Sequence, residues 1–425
     1  MIKINLIPDF PIWYFDSHVI LDKISYSSSA LFTHSSVPPA SHFLLLNSFY
    51  LFLRRMQLIA KTFFGLESVL EAELIRLGAK NTKRLVRGVQ FEGDQGFMYK
   101  TNLCCRTALE ILKPIYSFKF ENQTQFYAKV YELDWARYLD YSKTFAINFS
   151  VFSKIFTHSQ YASLVCKDAI VDNLRKLHQK RPSVDAKDPD VRIDLHINEN
   201  HCDISLDSSW PSLFKRGYRK STFDSPINEV LAAGLIDLSG WDCKQDLYDP
   251  FCGSGTFSTE AYIKASGIHP QYWREGFGFQ RWFDYDDVLF QKILKKVTLP
   301  IGEIEPHLYA SDMELYSMDA CKINWKYAKI SRRITAKQGD FFESRPQGKT
   351  GLILMNPPYD KRIYLEDTAR FYRDIGRKLH DDYQGFQAWI ISPYTDLIEK
   401  VNLRKIKSYK VYNGAIECKF IGFEC

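Results

Sequence analysis

An apolar run, Gly351-Leu352-Ile353-Leu354-Met355, ends abruptly in Asn356-Pro357-Pro358-Tyr359, and this junction constrains the chain more than any other stretch. The run reads as a buried strand delivering a polar, turn-forming tetrapeptide to its carboxyl end. In an open parallel α/β sheet ligands gather at that edge, so Asn356, Pro357 and Tyr359 are candidate catalytic residues. The Asn356 side-chain carbonyl and the Pro357 backbone carbonyl can both accept from one exocyclic NH2 group while an aromatic ring stacks on the base. Such a set suits methylation of a nucleobase amine and needs neither nucleophile nor metal. Read blandly, Asn-Pro-Pro is only a stiff turn, since X-Pro forces extended geometry.

A second motif weakens the bland reading. Asp249-Pro250-Phe251-Cys252-Gly253-Ser254-Gly255-Thr256 follows a short strand, Asp246-Leu247-Tyr248, and precedes helix-like residues 257–265. A strand, a glycine turn and a helix start let backbone approach a ligand closely. A dinucleotide fingerprint would add a third glycine and an acid about 20 residues on, and neither is present. A P-loop fails as well, because Glu343 stands where its first glycine belongs. Leu308-Tyr309-Ala310-Ser311-Asp312 then reads as a strand ending in an acid for ribose hydroxyls. A third strand, 334–339, ends at Asp340, an acid suited to an adenine amine. The order matches an S-adenosylmethionine site, with Asp249, Pro250, Cys252, Gly253, Gly255, Thr256, Asp312 and Asp340 as candidate cofactor residues.

These motifs resemble those of class I, Rossmann-like methyltransferases that act on exocyclic amines of nucleic acid. Upstream, Ser159-Gln160-Tyr161, residues 167–172, Arg181-Pro182-Ser183-Val184-Asp185 and Phe214-Lys215-Arg216-Gly217-Tyr218-Arg219 resemble the THUMP-containing bacterial methyltransferases of large-subunit ribosomal RNA, in particular their guanine-N2 branch. The resemblance runs from Met56 to the end. It implies a seven-stranded α/β methyltransferase sheet, preceded by an α+β ferredoxin-like lobe and a THUMP domain that grips RNA. The expected divisions are a non-conforming extension at 1–55, the lobe at 56–107, the THUMP domain at 108–209 and the methyltransferase domain at 210–425.

Composition agrees without deciding. A chain of 425 residues with 45% hydrophobic content accommodates two or three domains. A net charge of +6 is compatible with a polyanion and too mild to establish one. Nine cysteines without a C-x-x-C pair speak against a zinc ribbon or a secreted disulfide framework, and so for a reducing cytosol. His196, His201 and Cys202 sit on an expected hairpin and lack a fourth ligand, so no metal is expected. Residues 43–53 are apolar but too short to span a bilayer, and Arg54-Arg55 follow them, the wrong order for a signal peptide. The simplest account of 1–55 is an upstream extension or an over-long start.

From Met56 the pattern is regular: a strand at 58–60, an amphipathic helix over 65–77, and a returning strand over 86–91. Helical spacing recurs over 160–176, and 191–197 with 202–206 alternates as a hairpin. Lys215, Arg216 and Arg219 with Tyr218 interleaved are candidate RNA contacts, against the ordinary reading of a charge run as a solvated face. Lys361 and Arg362, just past the tetrapeptide, are candidates for reading the base, with Asp360 beside them. Cys252 lies on the cofactor side, which disfavours an acceptor-cysteine mechanism. The expected partner is RNA, 23S ribosomal RNA by resemblance, with S-adenosylmethionine as cofactor and no membrane. Transfer RNA as substrate, adenine-N6 methylation of nucleic acid, and a non-catalytic RNA-binding assembly factor stay open.

Overall fold

The computed structural model describes residues 55–222, 226–358 and 365–425. Arg55 to Cys425 form one compact unit built on two sheets. The first has eight strands: β1 (Met56–Lys61), β2 (Lys80–Leu85), β3 (Gly88–Gly93), β4 (Glu110–Lys119), β5 (Thr144–Phe152), β6 (Ser183–Val184), β7 (Val191–Asn198) and β8 (His201–Asp207), in the order β2-β3-β1-β4-β8-β7-β5-β6. Helices α1 (Glu67–Leu77), α2 (Gln95–Cys104), α3 (Gln123–Glu132) and α4 (Ser159–His178) accompany it. Strand β4 pairs with β1 on one side and β8 on the other, so the expected ferredoxin-like lobe and the expected THUMP domain share one sheet and one apolar core. The returning strand lies two residues later than the sequence pattern indicates. Its partner β2, Lys-Asn-Thr-Lys-Arg-Leu, is a polar edge strand with no buried alternation to announce it.

The second sheet is built by the carboxyl-terminal part of the chain. Helix α5 (Glu229–Leu238), strand β9 (Leu247–Asp249), helices α6 (Thr256–Ser266) and α7 (Asp287–Val297), strand β10 (Leu308–Asp312), helix α8 (Leu315–Ala328), strands β11 (Ile334–Gln338) and β12 (Gly351–Met355), helix α9 (Leu365–Asp382), and strands β13 (Phe386–Ser392), β14 (Arg404–Asn413) and β15 (Ile416–Glu424) follow in chain order. The sheet order is β11-β10-β9-β12-β13-β15-β14. β11 to β13 run parallel, and β15 is antiparallel to both neighbours. The closing hairpin turns at Gly414-Ala415, between the paired Asn413 and Ile416, one residue past the Asn413-Gly414 expected from sequence, with Gly414 at φ 64°, a positive φ that favours glycine in such a two-residue turn.

Residues 275–297, inserted between β9 and β10, pack into the first lobe. Phe279 stacks on Tyr99 with ring centroids 4.4 Å apart, and Phe290 meets the same ring edge-on. Phe277, Phe279 and Trp282 are therefore core of the first lobe, from which they are distant in sequence, whereas Phe283 stays half exposed. On the hairpin β7–β8, Cys202 is buried and His201 pairs with Asp203 at 3.2 Å. Among the described residues no helix is long and apolar enough to cross a membrane.

Candidate active site

Strand β9 is three residues long and fully buried, which places the loop after Asp249 at the middle of the sheet's carboxyl edge. The loop is tied to the next strand: the Cys252 N–H donates to Ser311 O at 3.0 Å and the Gly253 N–H to Asp312 Oδ2 at 2.9 Å. Gly253 and Gly255 take φ of 52° and 79°, a region L side chains rarely adopt. A Cβ on Gly255 would lie 2.8 Å from the Trp325 ring, whereas one on Gly253 would meet nothing within 4 Å. One glycine thus permits packing from below, and the other leaves open space above. Helix α6 starts at Thr256, so its unsatisfied amides and dipole face the same loop.

From below, α8 holds the loop. Cys321 Sγ–H donates to Gly253 O at 2.9 Å, and Asn324 Nδ2 donates to Ser254 O at 3.1 Å. The Cys252 sulfur lies 3.6 Å from that of Cys321; this neighbour and burial push its thiol well above the ordinary range, leaving it a packing group and a poor nucleophile.

Three acids mark three strand ends. Asp249 is buried; its Oδ2 accepts from Ser258 Oγ–H at 2.8 Å, while its Oδ1 is buried with no protein partner. Burial raises its carboxyl to about 7. Asp312 accepts the Gly253 N–H on one oxygen and the Glu314 N–H at 3.0 Å on the other, so the acid expected to serve a ribose also shapes the glycine loop. Asp340 caps a short 3-10 turn through Phe342 N–H at 3.0 Å. With Asp249, Pro250 and Ser311 it lines a cavity of about 300 Å³.

β12 lies between β9 and β13, with Ile353 in register with Tyr248. Asn356, half-buried, is therefore level with the glycine loop, followed by buried Pro357 and exposed Pro358. Tyr359, Asp360, Lys361 and Arg362 lie outside the described residues.

The linker after β8 corrects the expected RNA contacts. The Arg216 side chain is 0% exposed and pairs through Nε with Glu260 Oε1 at 3.2 Å; its other nitrogens donate to Leu213 O at 3.0 Å and Arg106 O at 2.5 Å. Tyr218 is 1% exposed, its hydroxyl 3.3 Å from Glu260 Oε1. Arg219 Nε donates to Glu229 Oε1 at 2.7 Å and its Nη2 to Thr256 Oγ1 at 2.8 Å, leaving Nη1 buried without a partner. Buried guanidinium groups require such pairing, and a charge run in sequence does not reveal which way it faces. Only Lys215 of this group is exposed. Sequence reasoning missed Glu229, Glu260, Asn324 and Trp325, since isolated residues on amphipathic helices carry no signal of a role. Asn228, the residue before α5, caps it by accepting from Val230 N–H at 2.9 Å.

S-adenosylmethionine suits this arrangement. The space over Gly253, an unpartnered carboxylate oxygen on Asp249, an unpartnered donor on Arg219 and acids at two further strand ends complement its charged amino-acid end, ribose and adenine. Fold and site together define a class I, S-adenosylmethionine-dependent methyltransferase. Residues 216–421 match the RMKL-like methyltransferase domain, 120–207 the THUMP domain and 57–112 the RlmL ferredoxin-like domain. A Synechocystis protein named as an RNA methyltransferase is 35% identical over 364 residues, 85% of this chain and 94% of its own. The ribosomal RNA large subunit methyltransferase K/L of Aeromonas hydrophila is 32% identical over 85% of this chain, which spans about half, 53%, of that relative. A methyltransferase crystallised with SAH superposes with a TM-score of 0.77 at 25% identity, covering 87% of this chain and 98% of that one. The chain belongs to the family of THUMP-containing RNA methyltransferases with an RMKL-like catalytic domain.

Proposed function

We propose that the protein methylates the exocyclic N2 amine of a guanine in 23S ribosomal RNA. The observation that carries this is Asn356-Pro357 at the carboxyl end of β12, level with the glycine loop. Bound S-adenosylmethionine supplies an electrophilic methyl on a sulfonium. The chain's part is positioning and exclusion of water. Asn356 Oδ1 and Pro357 O accept the two amine hydrogens and turn the nitrogen lone pair toward the loop, and Tyr359 stacks on the flipped base. Asp249 and Arg219 bind the ammonium and carboxylate of the cofactor, Asp312 its ribose and Asp340 its adenine. The amine loses its proton after transfer, so a strong base is not required. Lys215 contributes a phosphate contact, while Asp360, Lys361 and Arg362 read the guanine edge, an acid accepting from N1–H and a cation donating to O6.

Guanine and ribosomal RNA rest on similarity to the guanine-N2 enzymes, because the tetrapeptide grips only an amine. Incubating the purified protein with labelled cofactor and either unmodified ribosomal RNA or transfer RNA tests the substrate. Label in ribosomal RNA that disappears with Asn356→Ala supports the reading, and label confined to transfer RNA overturns it.

A further inference from the structure

Helix α8 has an unusual outer face. Its inner side, with Met318, Cys321, Asn324 and Trp325, packs under the glycine loop. The outer side of a surface helix is ordinarily charged and polar. Here Leu315 is 50% exposed, Tyr316 70%, Ile323 50% and Tyr327 46%, with exposed Lys322 and Lys326 interleaved. The one acid on this face, Asp319, lies 3.8 Å from Lys322. The face has fixed ends. It begins three residues after Asp312, at the mouth of the cofactor site. At its other end the linker from the first sheet meets it: Lys220 and Ser221 donate their N–H groups to Asn324 Oδ1 on the inner side at 2.8 and 2.9 Å, and the Lys220 side chain reaches the outer side, its ammonium 4.2 Å from the Tyr327 ring centroid. Fourteen residues of helix make this strip about 21 Å long at about 1.5 Å per residue.

We infer that this face, with Lys220, is the track along which single-stranded RNA runs from the linker to the target amine. Exposed aromatic rings stack bases of any sequence, and interleaved cations hold the backbone. A folded protein partner would not need three lysines spaced along an apolar strip; a polyanion with flat, apolar bases needs both. The inference rests on the RNA substrate proposed above, and it moves the grip from the buried arginines of the linker to the neighbouring helix.

The test uses the full chain with SAH bound. Binding of a single-stranded ribosomal RNA fragment is measured by fluorescence anisotropy over a range of salt. Stacking loss costs about 1–3 kcal/mol per base, so Tyr327→Ala should weaken RNA binding roughly 5- to 150-fold, with Tyr327→Phe restoring it. The Lys322→Ala, Lys326→Ala double variant should flatten the slope of log affinity against log salt by about 1.4, at about 0.7 per contact. SAH affinity should hold in all three, because the altered side chains point away from the loop. Unchanged RNA affinity and slope, in a protein whose wild type methylates RNA, overturn the track and leave the activity standing. A wild type that neither binds nor methylates RNA overturns both. Concentration-dependent dimers seen by sedimentation and abolished by Tyr327→Ala, with RNA binding unaffected, reassign the face to a second copy of the chain.

Discussion

Asp249 illustrates how much a single carboxyl can govern. Its pKa of about 7 in the folded chain, raised by burial, means that the folded state holds a proton the unfolded chain releases near 4. The sign follows: stability from this group is present below the unfolded value and is lost as pH rises from about 4 through about 7. A bound ammonium reverses the preference, because it favours the ionised carboxylate. Cofactor affinity should therefore fall as pH drops below about 7, by up to tenfold per unit, and Asp249→Asn should bind weakly with no such dependence. Isothermal titration at a series of pH values checks both. The assignments of Asn356 and Asp312 separate in the same instrument. Asn356→Ala should abolish transfer with cofactor affinity within a few fold. Asp312→Ala removes a ribose acceptor and a loop ligand, costing about 1–3 kcal/mol, or roughly 5- to 150-fold in affinity; unchanged binding there would remove the assignment.

At the scale of elements, the segments that could be read from sequence share one property, local self-sufficiency. Strand β12, the hairpin β7–β8 and the glycine turn each carry their pattern within a few residues, and the structure has them where the pattern lies. The linker does not. Phe214-Lys215-Arg216-Gly217-Tyr218-Arg219 looks like a nucleic-acid grip until Glu229 and Glu260, up to 44 residues away, are seen to neutralise it. No local rule conveys that pairing. Removing one member of the fully buried Arg216–Glu260 pair leaves an uncompensated charge, so Arg216→Ala should destabilise the protein by about 3–5 kcal/mol, whereas Lys215→Ala should change stability by less than about 0.5 kcal/mol. Chemical denaturation of the two variants distinguishes a structural arginine from a surface one. A stable Arg216→Ala would return that residue to the surface.

The whole molecule adds a constraint that no linear division of the chain expresses. Resemblance gives the lobes in order, but the insertion 275–297 reaches back so that Phe279 and Phe290 complete the core around Tyr99, and Arg106 of the first lobe pairs with Asp237 of α5 at 3.2 Å. Such interdigitation predicts a single calorimetric unfolding transition for the two sheets. Phe279→Ala, at about 3–5 kcal/mol, should lower that transition as a whole; a shift confined to one of two separate transitions would show the lobes to be independent.

The central proposal is that an exocyclic amine reaches Asn356 and Pro357, with guanine as the base chosen by similarity to the guanine-N2 enzymes. The most direct measurement is nucleoside mass spectrometry of unmodified 23S ribosomal RNA after treatment with the purified protein and methyl-labelled S-adenosylmethionine. The account predicts label in N2-methylguanosine, lost with Asn356→Ala. Label in N6-methyladenosine with none in N2-methylguanosine would contradict it.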